Sequence, residues 1–317
     1  MPHLTSFAGG FAGPLASSRA YTYVTASGGT ETTYGLYKIH TFTTSGSFTI
    51  ITSGSEIDIF MVGGGGAGGT FIGSGGGAGG VLVGTAENSP AGAYTINVGA
   101  GAPISADGTN GSNTTIVLSG TTVYNARGGG GGWVYTETNG VNPGSPGGSG
   151  GGGAGNRGGT SAGGISTQTT QGKLIGYGYR GGTGTASGDP IQPAGGGGGG
   201  QPGGDGIPTG GTAQVPIGSS RAGYGGDGIY NNFRTGTNIG YAGGGAGCSY
   251  ASSEAVIIPT DKRAMFGGGW TGGDAYKNGV DNTGGGGGGA GFSFYTAAGG
   301  QGAGGSGIVV IRYLVRP

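Results

Sequence analysis

Short runs of β-branched and aromatic residues, bounded by Gly, Ser, Asn or Pro, occupy the first 127 positions and return only at the C-terminus. They are Tyr34–Phe42, Gly46–Ile51, Glu56–Val62, Val81–Val83, Ala93–Val98, Thr114–Leu118 and Thr122–Tyr124. Their length and turn-rich boundaries predict the strands of an antiparallel β-sandwich. Within Glu56–Val62, Ile57, Ile59 and Met61 alternate with Asp58 and Phe60, which predicts one buried face. Gly307–Val315 is the most apolar run in the chain, and is expected to return to the sandwich as a central strand. The sandwich is thus placed at 34–127, completed by 307–315. Residues 1–33, rich in Ala, Gly and Ser with Phe7, Phe11, Leu15 and Tyr21, are read as an N-terminal arm.

Between these parts the pattern changes. Of 93 glycines in 317 residues, 27 lie in residues 1–127, 65 in residues 128–306 and one at Gly307. No segment keeps a helical period without glycine interruption, and each interior glycine costs a helix about 0.8–1.0 kcal/mol relative to Ala, so almost no α-helix is expected. Collagen is excluded, because Pro is only 13 of 317 and Gly occurs in clumps such as Gly195–Gly200. Disorder is disfavoured by interleaved aromatics such as Trp133, Tyr135, Tyr177, Tyr224, Phe233 and Trp270. The ordered alternative is polyglycine II, an extended threefold helix whose backbone groups bond to neighbouring helices, where only glycine fits. Rods are expected near 63–69, 73–80, 128–132, 147–155, 157–164, 195–204, 206–211, 242–247, 267–273, 284–291 and 299–307. The expected fold is all-β: a jelly-roll or TNF-like sandwich carrying, at 128–306, a polyglycine II bundle with variable loops.

Charge removes several function classes. Thirteen basic residues balance thirteen acidic ones, and charged residues are 8% of the chain, so counterion release onto nucleic acid has no basic cluster to draw on. With Cys248, His3 and His40 as the whole Cys and His complement, there is no zinc-type ligand set and no disulfide within one chain. Met1–Ala20 lacks the basic and apolar regions of a cleaved signal, and no window reaches the length of a membrane span, so a soluble chain without membrane insertion is expected.

The chemical motifs are weak. Gly63, Gly65 and Gly68 match the dinucleotide fingerprint, yet the following Gly69–Gly80 cannot supply the helix that would hold pyrophosphate. Gly172-Lys173 is followed by Leu174 where a phosphate loop needs Ser or Thr. Arg127, Arg157 and Arg180 each precede glycines as in RNA-binding boxes, and are read instead as caps on carbonyls at rod ends. Asn110 and Asn113 begin glycosylation sequons. No assembled nucleophile, base and oxyanion set is present, so neither an enzyme nor a cofactor is expected. Aromatic side chains in the loop segments, Tyr177, Tyr179, Tyr224, Tyr230, Phe233, Tyr250, Trp270 and Tyr276, are the candidate receptor contacts, because they give large contact area at low entropy cost. The competing reading is that they cover the bundle.

The stretches His40–Ile50, Ile57–Gly69, Gly79–Gly84, Ala93–Gly101 and Gly304–Tyr313, in that order, resemble the glycine-rich-domain proteins of tailed bacteriophages. The bundle with end loops is similar to the receptor-binding adhesins of T-even-like phages. A related arrangement in the ectodomain of the anaplastic lymphoma kinase receptor carries cysteines that this chain lacks. The resemblance implies a non-enzymatic protein of the virion surface, a tail fibre or adhesin that meets a host receptor, either a glycan or an outer-membrane protein. Other virion proteins would bind the N-terminal arm, and a homotrimer is expected. The alternative is a structural capsid decoration or head fibre. A flat glycine-helix face binding ice is a third class.

Overall fold

The computed structural model describes residues 22–54, 56–87, 89–105, 108–134, 142–155, 159–185, 192–206, 222–248, 266–270, 277–291 and 300–316. Among these residues there is no helix, and every named strand pairing is antiparallel. The strands are β1 (Thr25–Ser27), β2 (Thr30–Tyr34), β3 (Tyr37–Phe42), β4 (Gly46–Thr52), β5 (Glu56–Val62), β6 (Val81–Glu87), β7 (Gly92–Asn97), β8 (Thr114–Leu118), β9 (Thr121–Ala126), β10 (Ile175–Tyr177), β11 (Ile229–Asn231), β12 (Ile239–Tyr241) and β13 (Ile308–Leu314). One sheet runs β1-β4-β7-β8-β9, a second β10-β6-β5-β13-β3-β2, and β11-β12 is a hairpin. The apolar C-terminal run does return: β13 pairs with β3 on one side and β5 on the other. The expected run Tyr34–Phe42 is two strands, because Gly35, at φ +57°, turns the chain between β2 and β3. β1 and all of β2 but its last residue, Tyr34, fall within 1–33, the expected arm.

Alternation along each strand builds the core. Phe48 and Ile50 of β4, Ile96 of β7 and Ile116 of β8 meet Ile57, Ile59 and Met61 of β5 and Val309 and Ile311 of β13 in one buried cluster. The expectation of a single buried face on β5 is corrected by its neighbours. Phe60 and Val62 are buried as well, in a second cluster with Ile39, Val81, Ile308, Val310 and Tyr241. That outer face is covered by the β11–β12 hairpin, whose Tyr241 ring lies 4.8 Å from Phe60. The hairpin is held further by Arg312, whose guanidinium lies 3.8 Å from the Phe233 ring centre and 4.3 Å from that of Tyr37 while bonding Asp58 at 2.9 Å. Tyr34 rests on Gly236, where a β-carbon would fall 2.1 Å from the ring.

The glycine tracts leave the ends of these strands without a break: 63–69 continues β5, 73–80 leads into β6, 127–133 continues β9 and 302–307 leads into β13. Their backbone groups pair with other tracts on a period of three. From the tract 73–80, the N–H groups of Gly73, Gly76 and Gly79 donate to Ala290, Gly287 and Gly284. Those of Ser74, Gly77 and Gly80 donate to Trp133, Gly130 and Arg127, and those of Gly75 and Ala78 to Ala194 and Gly197. Its carbonyls accept from three further tracts: Gly66 bonds Gly77, Ser149 bonds Ala78, and Gly245 bonds Gly76. One tract therefore has six neighbours. Such approach leaves no room for a side chain: a β-carbon on Gly77 would meet the Ser149 carbonyl oxygen at 2.3 Å. Two of the expected rods reverse, 147–155 at residues 148–149 and 195–204 at residues 199–201.

Where a tract faces outward, polar side chains replace the missing neighbour at the same three-residue spacing. Asn110 and Asn113 accept from the N–H groups of Gly131 and Gly128. Asn278 and Asp281 accept from Ala303 and Ser306, and Gln168 and Gln171 from Arg127 and Asn125. Gly128 and Gly131 are buried, and their N–H groups left unpaired would cost more than these bonds contribute, so the Asn110 and Asn113 spacing is structural.

Candidate functional site

The tract register defines two ends. Positions 63, 80, 127 and 307 adjoin the sheets, and 69, 74, 133 and 302 mark the far end. Bonds from Cys248 to Gly73, Gly73 to Ala290, Gly68 to Gly302 and Ser74 to Trp133 tie that level together, and Gln192 with Thr185, Gly206 with Thr183 and Ala154 with Asn142 extend it sideways. At its described turn, Phe71 (φ +42°) and Ile72 (φ +49°) take left-handed backbone, and Ile72 is wholly buried.

The candidate aromatics are spread along the molecule. Tyr177 lies in β10 opposite Val81 and packs on the second apolar cluster, as does Phe233 under Arg312. Tyr230 is 56% exposed, with its ring 4.8 Å from Phe266 beside the sheet. Tyr179 stands midway, its carbonyl accepting from Gly150. Tyr224 is 54% exposed near the far end, where its carbonyl accepts from Gly204 and Gly195 donates to Gly204 in turn. Trp270 follows Gly269, which bonds Ala246 and Gly286 toward the same end, and is half-buried. Tyr250 and Tyr276 lie outside the described residues, as does Arg157. Arg127 and Arg180 are exposed.

Other candidate chemistry is committed to the fold. Each N–H of the segment 63–68, the dinucleotide-like stretch, is spent on a neighbouring tract: Gly63, Gly65 and Gly68 donate to Gly80, Gly305 and Gly302. None of these three points to an open cradle. His40 is fully buried. Because a carbonyl only accepts, its Nδ1–H donates to Gly28 at 2.7 Å, which leaves Nε2 to accept from the Tyr313 hydroxyl at 3.0 Å. The Tyr313 oxygen accepts in turn from the Ala26 N–H at 3.1 Å, so this network fastens β1 to β3 and β13. Burial pushes the His40 pKa below its ordinary value, against the opposing pull of the Gly28 bond and Glu31. Burial likewise raises Tyr313. Among the described residues no three His, Cys, Asp or Glu side chains converge on a metal position, and no helix is long and apolar enough to cross a membrane.

The signal that sequence reading missed is the three-residue spacing of Asn110 and Asn113, and of Asn278 and Asp281, which matches the tract period. Read as sequons, the first pair hides its role as a tract edge.

No curated protein matches the chain. The model of the glycine-rich domain matches residues 43–314, nearly the whole length, and the chain belongs to the glycine-rich domain family.

Proposed function

We propose that this is a non-enzymatic virion surface protein of a tailed phage, a tail fibre or adhesin that presents the far end of its glycine tracts to a receptor on the host. In this reading the tracts are polyglycine II helices in a close-packed bundle, and the two sheets are a jelly-roll-like sandwich that carries it. The helices are supported by the donation of Gly73, Gly76 and Gly79 to one neighbour and of Ser74, Gly77 and Gly80 to another, as a threefold helix requires. The sandwich is supported by the return of β13 between β3 and β5 and by a core drawn from both sheets.

The observation that carries the reading is the backbone bonding of tract to tract from the sheets outward. It makes a low-charge, stiff support whose side chains are displayed on its flanks and at one end, and recognition residues are commonly held on such supports. Tyr224 and Trp270 are the described aromatics nearest that end, whereas Phe233 serves the hairpin cover and the exposed Tyr230 packs on Phe266. Attachment to the particle falls to the opposite end.

The test uses purified full-length protein on host cells. Saturable binding that competes with phage adsorption supports the adhesin. Absence of both binding and competition overturns it, and antibody labelling confined to the head would assign the structural capsid role instead.

A further inference from the structure

We propose that the gap between the two sheets, at the end away from the glycine tracts, binds a single-ring apolar molecule. A cavity of about 130 Å³ opens there. Its walls are Phe48, Ile50, Ile59, Ile116 and Ile311, drawn from both sheets and each at most 3% exposed. Its mouth is formed by Glu87, Ser89, Leu118, Val123 and Tyr124, where β6 and β8 end and β9 begins. The tracts depart from the other ends of these strands, so the mouth is clear of them.

Protein interiors are packed to the density of organic crystals with few voids larger than a water. An apolar cavity of about 150 Å³ in another protein stays dry and admits benzene, so the volume and the walls here fit one six-membered ring. The rim fixes the charge of the ligand. Glu87 presents a carboxylate that is ion-paired with Lys173, and the Tyr94 hydroxyl spends its hydrogen on the Pro90 carbonyl at 2.9 Å. Neither group has a donor to spare, and a carboxylate buried among the apolar walls would go unpaired, so a neutral ring is admitted and an anionic one rejected. The site is independent of the tract far end.

The experiment titrates full-length, methyl-labelled protein with benzene and follows the methyl resonances. Saturable shifts at Ile50, Ile59, Ile116, Leu118 and Ile311, and none with benzoate, are expected. Val123→Phe, at a rim position 39% exposed, should plug the mouth and weaken binding at least tenfold. Leu118→Phe serves if that variant does not fold. The proposal is overturned if benzene gives no saturable shift up to its solubility, or if a folded plugging variant binds as the parent does. Either result leaves the adhesin reading untouched, since that reading is judged by adsorption.

Discussion

Gly76→Ala is the most incisive perturbation of the tract packing. A β-carbon there would lie 2.3 Å from the Gly66 carbonyl oxygen and 2.7 Å from that of Ala67, both main-chain atoms that no rotamer change can move aside. Ordinary contact begins near 3.4 Å, so tracts 63–69 and 73–80 must part by about 1 Å. The bonds from Gly63 to Gly80, Gly66 to Gly77 and Gly69 to Ser74, at 3.0, 2.9 and 2.9 Å, would then stretch beyond useful length. Three bonds at about 0.5–1.5 kcal/mol each, with about 1–3 kcal/mol of overpacking strain, give a loss of roughly 3–6 kcal/mol. At roughly 2–4 °C per kcal/mol for a large domain, the melting temperature should fall by about 6–24 °C. The control is Gly159→Ala, which meets nothing within 4 Å and should shift stability by less than about 0.5 kcal/mol. Calorimetry gives the melting shift, and amide exchange resolved to Gly66, Gly77, Gly130 and Gly287 locates it. Equal melting of the two variants, with unchanged exchange at those four amides, would refute close packing of the tracts.

Four further outcomes follow from the same contacts. His40 is held neutral with its pKa below the ordinary value, so as pH falls from about 6.5 the unfolded chain takes up a proton that the folded chain refuses. Stability present above that pH should therefore decline toward pH 5, and His40→Gln should flatten the decline in denaturant midpoints. Arg312→Ala removes the cation between Tyr37 and Phe233 and leaves Asp58 with the Thr85 hydroxyl as its remaining side-chain partner, and should lower stability by about 1–3 kcal/mol, with faster exchange in β11 and β12 but not in β4 or β7. Asn110→Ala with Asn113→Ala should speed exchange selectively at Gly131 and Gly128 and cost about 1 kcal/mol per site, whereas a glycosylation role alone would leave those amides protected. Tyr224→Ser should reduce host-cell adsorption at unchanged melting temperature, and Phe233→Ser should lower melting temperature because its ring is part of the hairpin cover.

The strands that carry the core were legible because they are short runs of β-branched and apolar residues bounded by glycine and turn residues. Glu56–Val62 and Ile308–Leu314 stand out from polar surroundings, and their observed bounds lie within a residue or so of expectation. By contrast β2, Thr30–Tyr34, is exposed at every position and has no apolar period to read; it exists because β3 offers it a paired edge. The short strands β10, β11 and β12 are likewise products of their partners. The burial of Phe60 could not be anticipated, since the hairpin that covers it comes from residues 229–241, far along the chain. The aromatic candidates suffered the same fate. Tyr177 and Phe233 look like Tyr224 in sequence, and only the placement of their segments against the six-stranded sheet separates cover from display.

By itself the sequence determined which positions could be strands and which could pack backbone against backbone, because both properties reside in single residues: an alternating apolar side chain, or no side chain at all. It left undecided which tracts are neighbours, since glycine carries no group by which one tract can recognise another. The tertiary structure made that choice through the sheets. Each strand delivers its tract at a fixed place and height, and from there the three-residue period of N–H and C=O groups admits only the neighbours already in register.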